Sequence, residues 1–167
     1  MISISDYFMG RDRLYPLEMT RGLTENAART VARVNRLLDH AAEQGIEPGI
    51  DSKTGTHVAS GWRPRSVNDR TSNAAKASTH IVGLAVDLQD TPGRDFARLC
   101  VADNCAQLVV FDLYMEDPRW TLVLDEHGRE VDWWVHLQIV PPKSGRRVYT
   151  PSTAPALCAA IPGQVVT

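Results

Sequence analysis

No stretch of this sequence stays apolar for the roughly 20 residues that a helix needs to cross a bilayer, so a membrane-spanning helix is excluded. Charge of one sign is also missing. Eighteen Lys and Arg stand against 20 Asp and Glu, a net charge of -2, and the pI is near 6.2. A nucleic-acid binder carries a basic excess, and there is none here. Cysteine is scarce: Cys100, Cys105 and Cys158 are odd in number and lack zinc-type pairing. That argues against a disulfide scaffold and for reduced, buried thiols. Met1–Asp6 shows no basic segment leading into an apolar one, so no secretory signal is read and synthesis in a reducing cytoplasm is expected. Internal repeats and low-complexity tracts are absent as well.

What is present is an ordinary globular composition. Of 167 residues, 43% are hydrophobic and 23% charged, enough for one domain with its own core. The reading is a single domain over 1–167. Residues 1–22 form an N-terminal arm whose Tyr7, Phe8, Leu14, Tyr15 and Leu17 pack on the body. Residues 141–167 form a tail with five prolines that wraps the surface irregularly.

Ala27, Val31, Val34, Leu37, Leu38 and Ala41 recur at helical spacing, which predicts a helix from Thr24, its N-cap, to a stop at Gly45. His57–Trp62 and Val82–Leu88 read as strands, the second interrupted by Gly83. Ser66–Lys76 reads as a short helix or an ordered loop, Gly93–Asn104 as a helix, and Leu108–Met115 as β-leaning. Trp120–Leu124 and Glu130–Ile139 flank Asp125-Glu-His-Gly128, a hairpin turn. The expected class is α+β, a small antiparallel sheet with flanking helices and the site on the sheet face.

The chemistry concentrates in Ser78-Thr-His80-Ile-Val-Gly83-Leu-Ala-Val-Asp87 and in Trp134-Val-His136. Two imidazoles and a carboxylate supply three metal ligands and leave a fourth tetrahedral position open, the arrangement of a catalytic rather than a structural zinc site. Asp87 lies in the apolar run Ala-Val-Asp-Leu. A carboxylate there needs a partner, and a metal is one, backbone donors another. His136, in Trp-Trp-Val-His-Leu-Gln, is alone either a hydrogen-bonded core histidine or a ligand, and beside His80 and Asp87 it reads as a ligand. His57, at the start of a strand, is the rival.

Ser60-Gly61-Trp62-Arg63-Pro64 with Asn68, then Ser78-x-His80-x-x-Gly83-x-Ala85-x-Asp87, then Trp134-Val-His136, resembles the zinc D-Ala-D-Ala carboxypeptidase-type peptidases. That group also takes in phage L-alanyl-D-glutamate endopeptidases and D-Ala-D-Ala dipeptidases, and the metal-binding fold of hedgehog signalling domains is related. The likeness spans about residues 57–140. It implies a zinc ion held by His80, Asp87 and His136, and peptidoglycan stem peptides as substrate, without nucleic-acid or membrane partners. It implies that Arg63, whose guanidinium is a rigid fork of donors, holds the substrate, and that Ser78 donates a hydrogen bond in the pocket. Trp134 walls the pocket or packs beside the metal. A lysin of phage or prophage origin fits the missing signal.

One departure stands out. Members of that family commonly place an Asp or Glu three residues before the last histidine ligand to move protons, and here that position is Trp133. Two acids are the replacements. Asp132 shares a strand face with Trp134 and His136. Glu116, in Leu-Tyr-Met-Glu-Asp-Pro, returns to the site if residues 119–133 are an inserted hairpin, and is the favoured one. Glu130 and Asp117 rank below them. Without such an acid the same fold is a zinc-bearing binding module, the alternative function. A metal with four protein ligands, His57 among them, is a third.

Overall fold

A computed structural model describes residues 1–72 and 74–151. Its longest element is helix α3, Arg21–Glu43, which presents Leu23, Ala27, Val31, Val34, Leu37, Leu38 and Ala41 as one buried stripe. It begins one turn before the expected start. Thr20, not Thr24, is the N-cap and accepts from the Leu23 N–H at 3.2 Å, while the Thr24 hydroxyl donates back to the Thr20 carbonyl within the helix. Its end falls where expected. Gly45 takes φ 71°, and the N–H groups of Gly45 and Ile46 close on the carbonyls of Ala42 and Ala41.

Ahead of it, helices α1 (Ile4–Phe8) and α2 (Arg11–Leu14) and a 3-10 turn at Pro16–Glu18 fold back on the body. Tyr7 and Phe8 are buried, but Leu14 and Leu17 are 74% and 99% exposed, contrary to the expected packing. Helices of one turn can turn only one or two side chains inward.

The sheet contains β1 (Val58–Ser60), β2 (Ala85–Gln89), β3 (Tyr114–Glu116), β4 (Leu122–Leu124), β5 (Glu130–Gln138) and β6 (Val148–Tyr149), with helix α4 (Arg65–Asn68) between β1 and β2 and helix α5 (Asp95–Val110) after β2. The order is β1-β2-β5-β3-β6, and β4 pairs with β5. The class is α+β. The sheet is mixed rather than antiparallel throughout, because β6 runs parallel to β3, Met115 opposite Val148 and Glu116 opposite Tyr149. The segment read as an irregular tail thus supplies an edge strand. Residues 152–167 of that tail, with Cys158, lie outside the described residues.

Two further expectations change. Helix α5 runs past Asn104, broken at Ala102–Cys105, where Asp103, Asn104 and Cys105 adopt positive φ. Leu108, Val109 and Val110 are therefore helical, and of the β-leaning run only Tyr114 and Met115 are strand, in β3. Leu108 is buried while the two valines are 54% and 62% exposed. Such one-sided burial suits a helix, and the β-branched pair misleads a propensity reading.

Strand alternation sorts the sheet into two faces. Val86, Leu88, Met115, Val135 and Leu137 are fully buried and join the α3 stripe with Phe96 and Leu99 of α5 in the core. Asp87, Gln89, Glu116, Trp134, His136 and Gln138 occupy the other face. There they line a groove of about 1160 Å³.

Candidate metal centre

Register builds the site. Asp87 on β2 sits opposite His136 on β5, and Ser60 on β1 sits opposite Asp87. On the other side of β5, Tyr114 pairs with Gln138 and Met115 with Leu137, which brings Glu116 level with His136, and Tyr149 is opposite Glu116. Ser60, Asp87, His136, Glu116 and Tyr149 therefore form one row across five strands, and all five border the groove. Cross-strand partners share a face, so the row follows from pairing alone.

His80 joins the row from a loop. The turn Ser78–Gly83 delivers it, closed by Ile81 N–H on the Ser78 carbonyl and Leu84 N–H on the Thr79 carbonyl. Gly83 has φ 80°, and a Cβ there would lie 2.9 Å from the Leu23 carbonyl oxygen of α3. Only glycine lets the loop lie that close to the helix. Thr30 of α3 anchors it, donating to the Gly83 carbonyl at 2.9 Å.

The ring of His80 is fully buried. Its Nδ1 meets the Gly61 carbonyl at 2.7 Å, and a carbonyl only accepts, so the proton is on Nδ1 and Nε2 carries the lone pair. Nε2 lies 3.2 Å from His136 Nδ1 and 3.3 Å from Asp87 Oδ1, and His136 Nδ1 lies 2.7 Å from the same Oδ1. Bonds of about 2.0–2.1 Å at tetrahedral angles set ligand atoms about 3.3 Å apart. Two of the three separations match, and the third is a hydrogen bond that a cation would replace. His80, Asp87 and His136 can hold a metal ion, and no other such group occurs among the described residues. His57 is not part of it: its Nδ1 bonds the Gly49 carbonyl at 2.9 Å.

Electrostatics agree with a cation at this point. Burial pushes the Asp87 carboxyl up, but the two imidazoles outweigh it and hold it well below the usual carboxylate range. Burial drives His80 down, keeping it neutral as a ligand must be. Burial opposes protonation of His136 too, yet its bond to Asp87 raises it on balance.

Around the three lie the remaining sequence-predicted residues. Arg63 is 11% exposed and borders the groove. One guanidinium nitrogen is 3.9 Å from Asp87 Oδ2, and its buried Nε has no partner. Ser78 borders the groove and its oxygen accepts from the His80 N–H at 3.3 Å. Trp134 lines the wall. The two acids separate clearly. Glu116 is partly buried level with His136, and burial raises its pKa. Asp132 is exposed, four residues before His136 on β5, and is held by Gln89 Nε2 at 2.8 Å and its neighbour's N–H at 2.9 Å. Glu130 accepts from the Trp133 indole, and Asp117 pairs with Arg119.

Sequence reasoning missed Gln138, Thr79 and Tyr149. Gln138 Nε2 donates to the Val140 carbonyl at 2.7 Å, so its oxygen must face the hydroxyls of Tyr149 at 2.8 Å and Thr79 at 3.3 Å. This amide ties the strand of His136 to the loop of His80. Alternation from His136 would have found Gln138; nothing in the sequence marks Tyr149. Burial, with the charges of Glu116 and Asp87, pushes the Tyr149 phenol upward and keeps it protonated.

A scan of protein-family models finds no match for this chain, and searches of curated proteins and of solved structures find none either.

Proposed function

We propose that the protein is a zinc-dependent peptidase acting on peptidoglycan stem peptides, of the D-Ala-D-Ala carboxypeptidase or L-Ala-D-Glu endopeptidase type. One observation carries this reading. The ligand atoms of His80, Asp87 and His136 converge to within 3.3 Å on a groove floor, with Glu116 level beside them on the next strand.

A zinc ion would supply Lewis-acid chemistry, drawing electrons from a carbonyl and making water acidic enough to lose a proton near neutral pH. The chain's own residues do the rest. Glu116, raised by burial, takes a proton from water as general base and returns it to the leaving amine. Arg63, with its unpartnered Nε, offers donors to a carboxylate or carbonyl of the peptide. Ser78 and Trp134 border the bound chain. Gly61 keeps the His80 imidazole in the tautomer and orientation that ligation needs.

The test is turnover. Zinc-loaded protein is given muropeptides and the products are weighed by mass spectrometry. Loss of one terminal alanine marks the carboxypeptidase type, and scission between L-alanine and D-glutamate the endopeptidase type. Tight zinc binding with every substrate intact overturns the peptidase and leaves a binding module.

A further inference from the structure

We propose that the N-terminal segment, residues 7–11, is a positioning element of the metal centre, acting on His80 through the peptide unit that joins Gly61 to Trp62. The inference rests on the metal-holding role of His80, Asp87 and His136 but not on any reaction.

That peptide unit lies between two partners. Its carbonyl accepts from His80 Nδ1 at 2.7 Å, and its N–H donates to the Tyr7 carbonyl at 3.1 Å. N–H and C=O of a trans peptide point in opposite directions, so the two bonds form one chain from imidazole to α1. Each bond in such a chain polarises the next. The Tyr7 carbonyl thereby strengthens the Gly61 oxygen as an acceptor, which fixes the His80 ring and makes Nε2 the better donor to a cation.

The flanking atoms are held by the same segment. Gly61 N–H points to Met9 Sδ at 3.2 Å, and Arg11 donates to the Trp62 carbonyl at 2.7 Å. A Cβ on Gly61 would lie 1.8 Å from the Tyr7 carbonyl oxygen, a backbone atom that cannot swing aside. Glycine is required here so that α1 can reach the peptide. The Tyr7 hydroxyl also donates to the Ala85 carbonyl at 3.0 Å, on the strand that carries Asp87 two residues later. Residues distant in sequence from every ligand thus contact the supports of two of them.

The experiment compares Arg11→Ala, Met9→Leu and Gly61→Ala with a control, Leu99→Ala, a core truncation in α5. Zinc affinity is measured by competition with a chromogenic chelator, coordination by the visible spectrum of the cobalt-substituted protein, and folding by the thermal midpoint of the metal-free protein. Outer partners of metal ligands are worth about 10- to 100-fold in affinity. We expect a loss of about that size in Gly61→Ala, smaller losses in Arg11→Ala and Met9→Leu, and an altered cobalt spectrum. Arg11→Lys should recover part of the affinity. Leu99→Ala should lower the midpoint and leave affinity and spectrum unchanged. Wild-type zinc affinity and spectrum in both Arg11→Ala and Gly61→Ala overturn the proposal. A wild-type protein that takes up neither metal overturns the centre itself.

Discussion

Strand β5 has two halves that share a backbone and an alternation but not an environment. The inner half, Trp134–Gln138, is flanked by β2 along its length and by β3 at its end, and His136 there lies between Asp87 and Glu116. The outer half, Glu130–Trp133, pairs only with β4, and its Glu130, Val131 and Asp132 are exposed. A metal centre on a sheet needs ligating side chains on neighbouring strands. Opposite Asp132 and Glu130 the outer half has Val123 and Leu124 of β4, which cannot share an ion.

The sharpest way to break this contrast is His136→Ala, which should abolish stoichiometric zinc uptake, as should His80→Ala or Asp87→Ala. Elemental analysis showing full zinc in any of the three would refute the centre. Next in size is Glu116→Gln, expected to retain zinc while cutting peptide turnover by roughly 10²- to 10⁴-fold. Undiminished turnover there, with loss in Asp132→Asn, would transfer the proton-moving role to the outer half. On the core face, Leu137→Ala should cost about 2–5 kcal/mol in urea denaturation, because Leu137 is fully buried under the inner half. Asp132→Asn is expected to change turnover by less than about threefold, since its carboxylate is exposed and already bonded to Gln89. The smallest effect belongs to Val131→Ala, within about 0.5 kcal/mol of wild type, its side chain being half in water.

The ligand set was legible because few residue types bind metals and because Gly83 and Asp87 follow His80 at short, fixed distances. The α3 stripe was legible because helical periodicity needs no tertiary context. Its start was not, since Thr20 and Thr24 both suit an N-cap and only the Leu23 N–H decides between them. Glu116 was reached by reading residues 119–133 as an inserted hairpin, and β4 with the outer part of β5 forms one there; its level with His136 rests on register, which a linear reading does not carry. Two-residue β6 has no alternation to detect. The contacts of Tyr7, Met9 and Arg11 with Gly61–Trp62 involve backbone groups, which leave no compositional trace.

The β4–β5 hairpin is joined to the rest of the sheet at its base, where the Trp133 carbonyl accepts from the Asp90 N–H and from the Gln89 amide. Its tip, Asp125–Arg129, closes on itself through Asp125. Lengthening or trimming that tip leaves every strand pairing in the row of Asp87, His136 and Glu116 in place. The hairpin is an adjustable rim on a fixed floor: its Leu122, Val123 and Leu124 line the groove without taking part in the row beneath them.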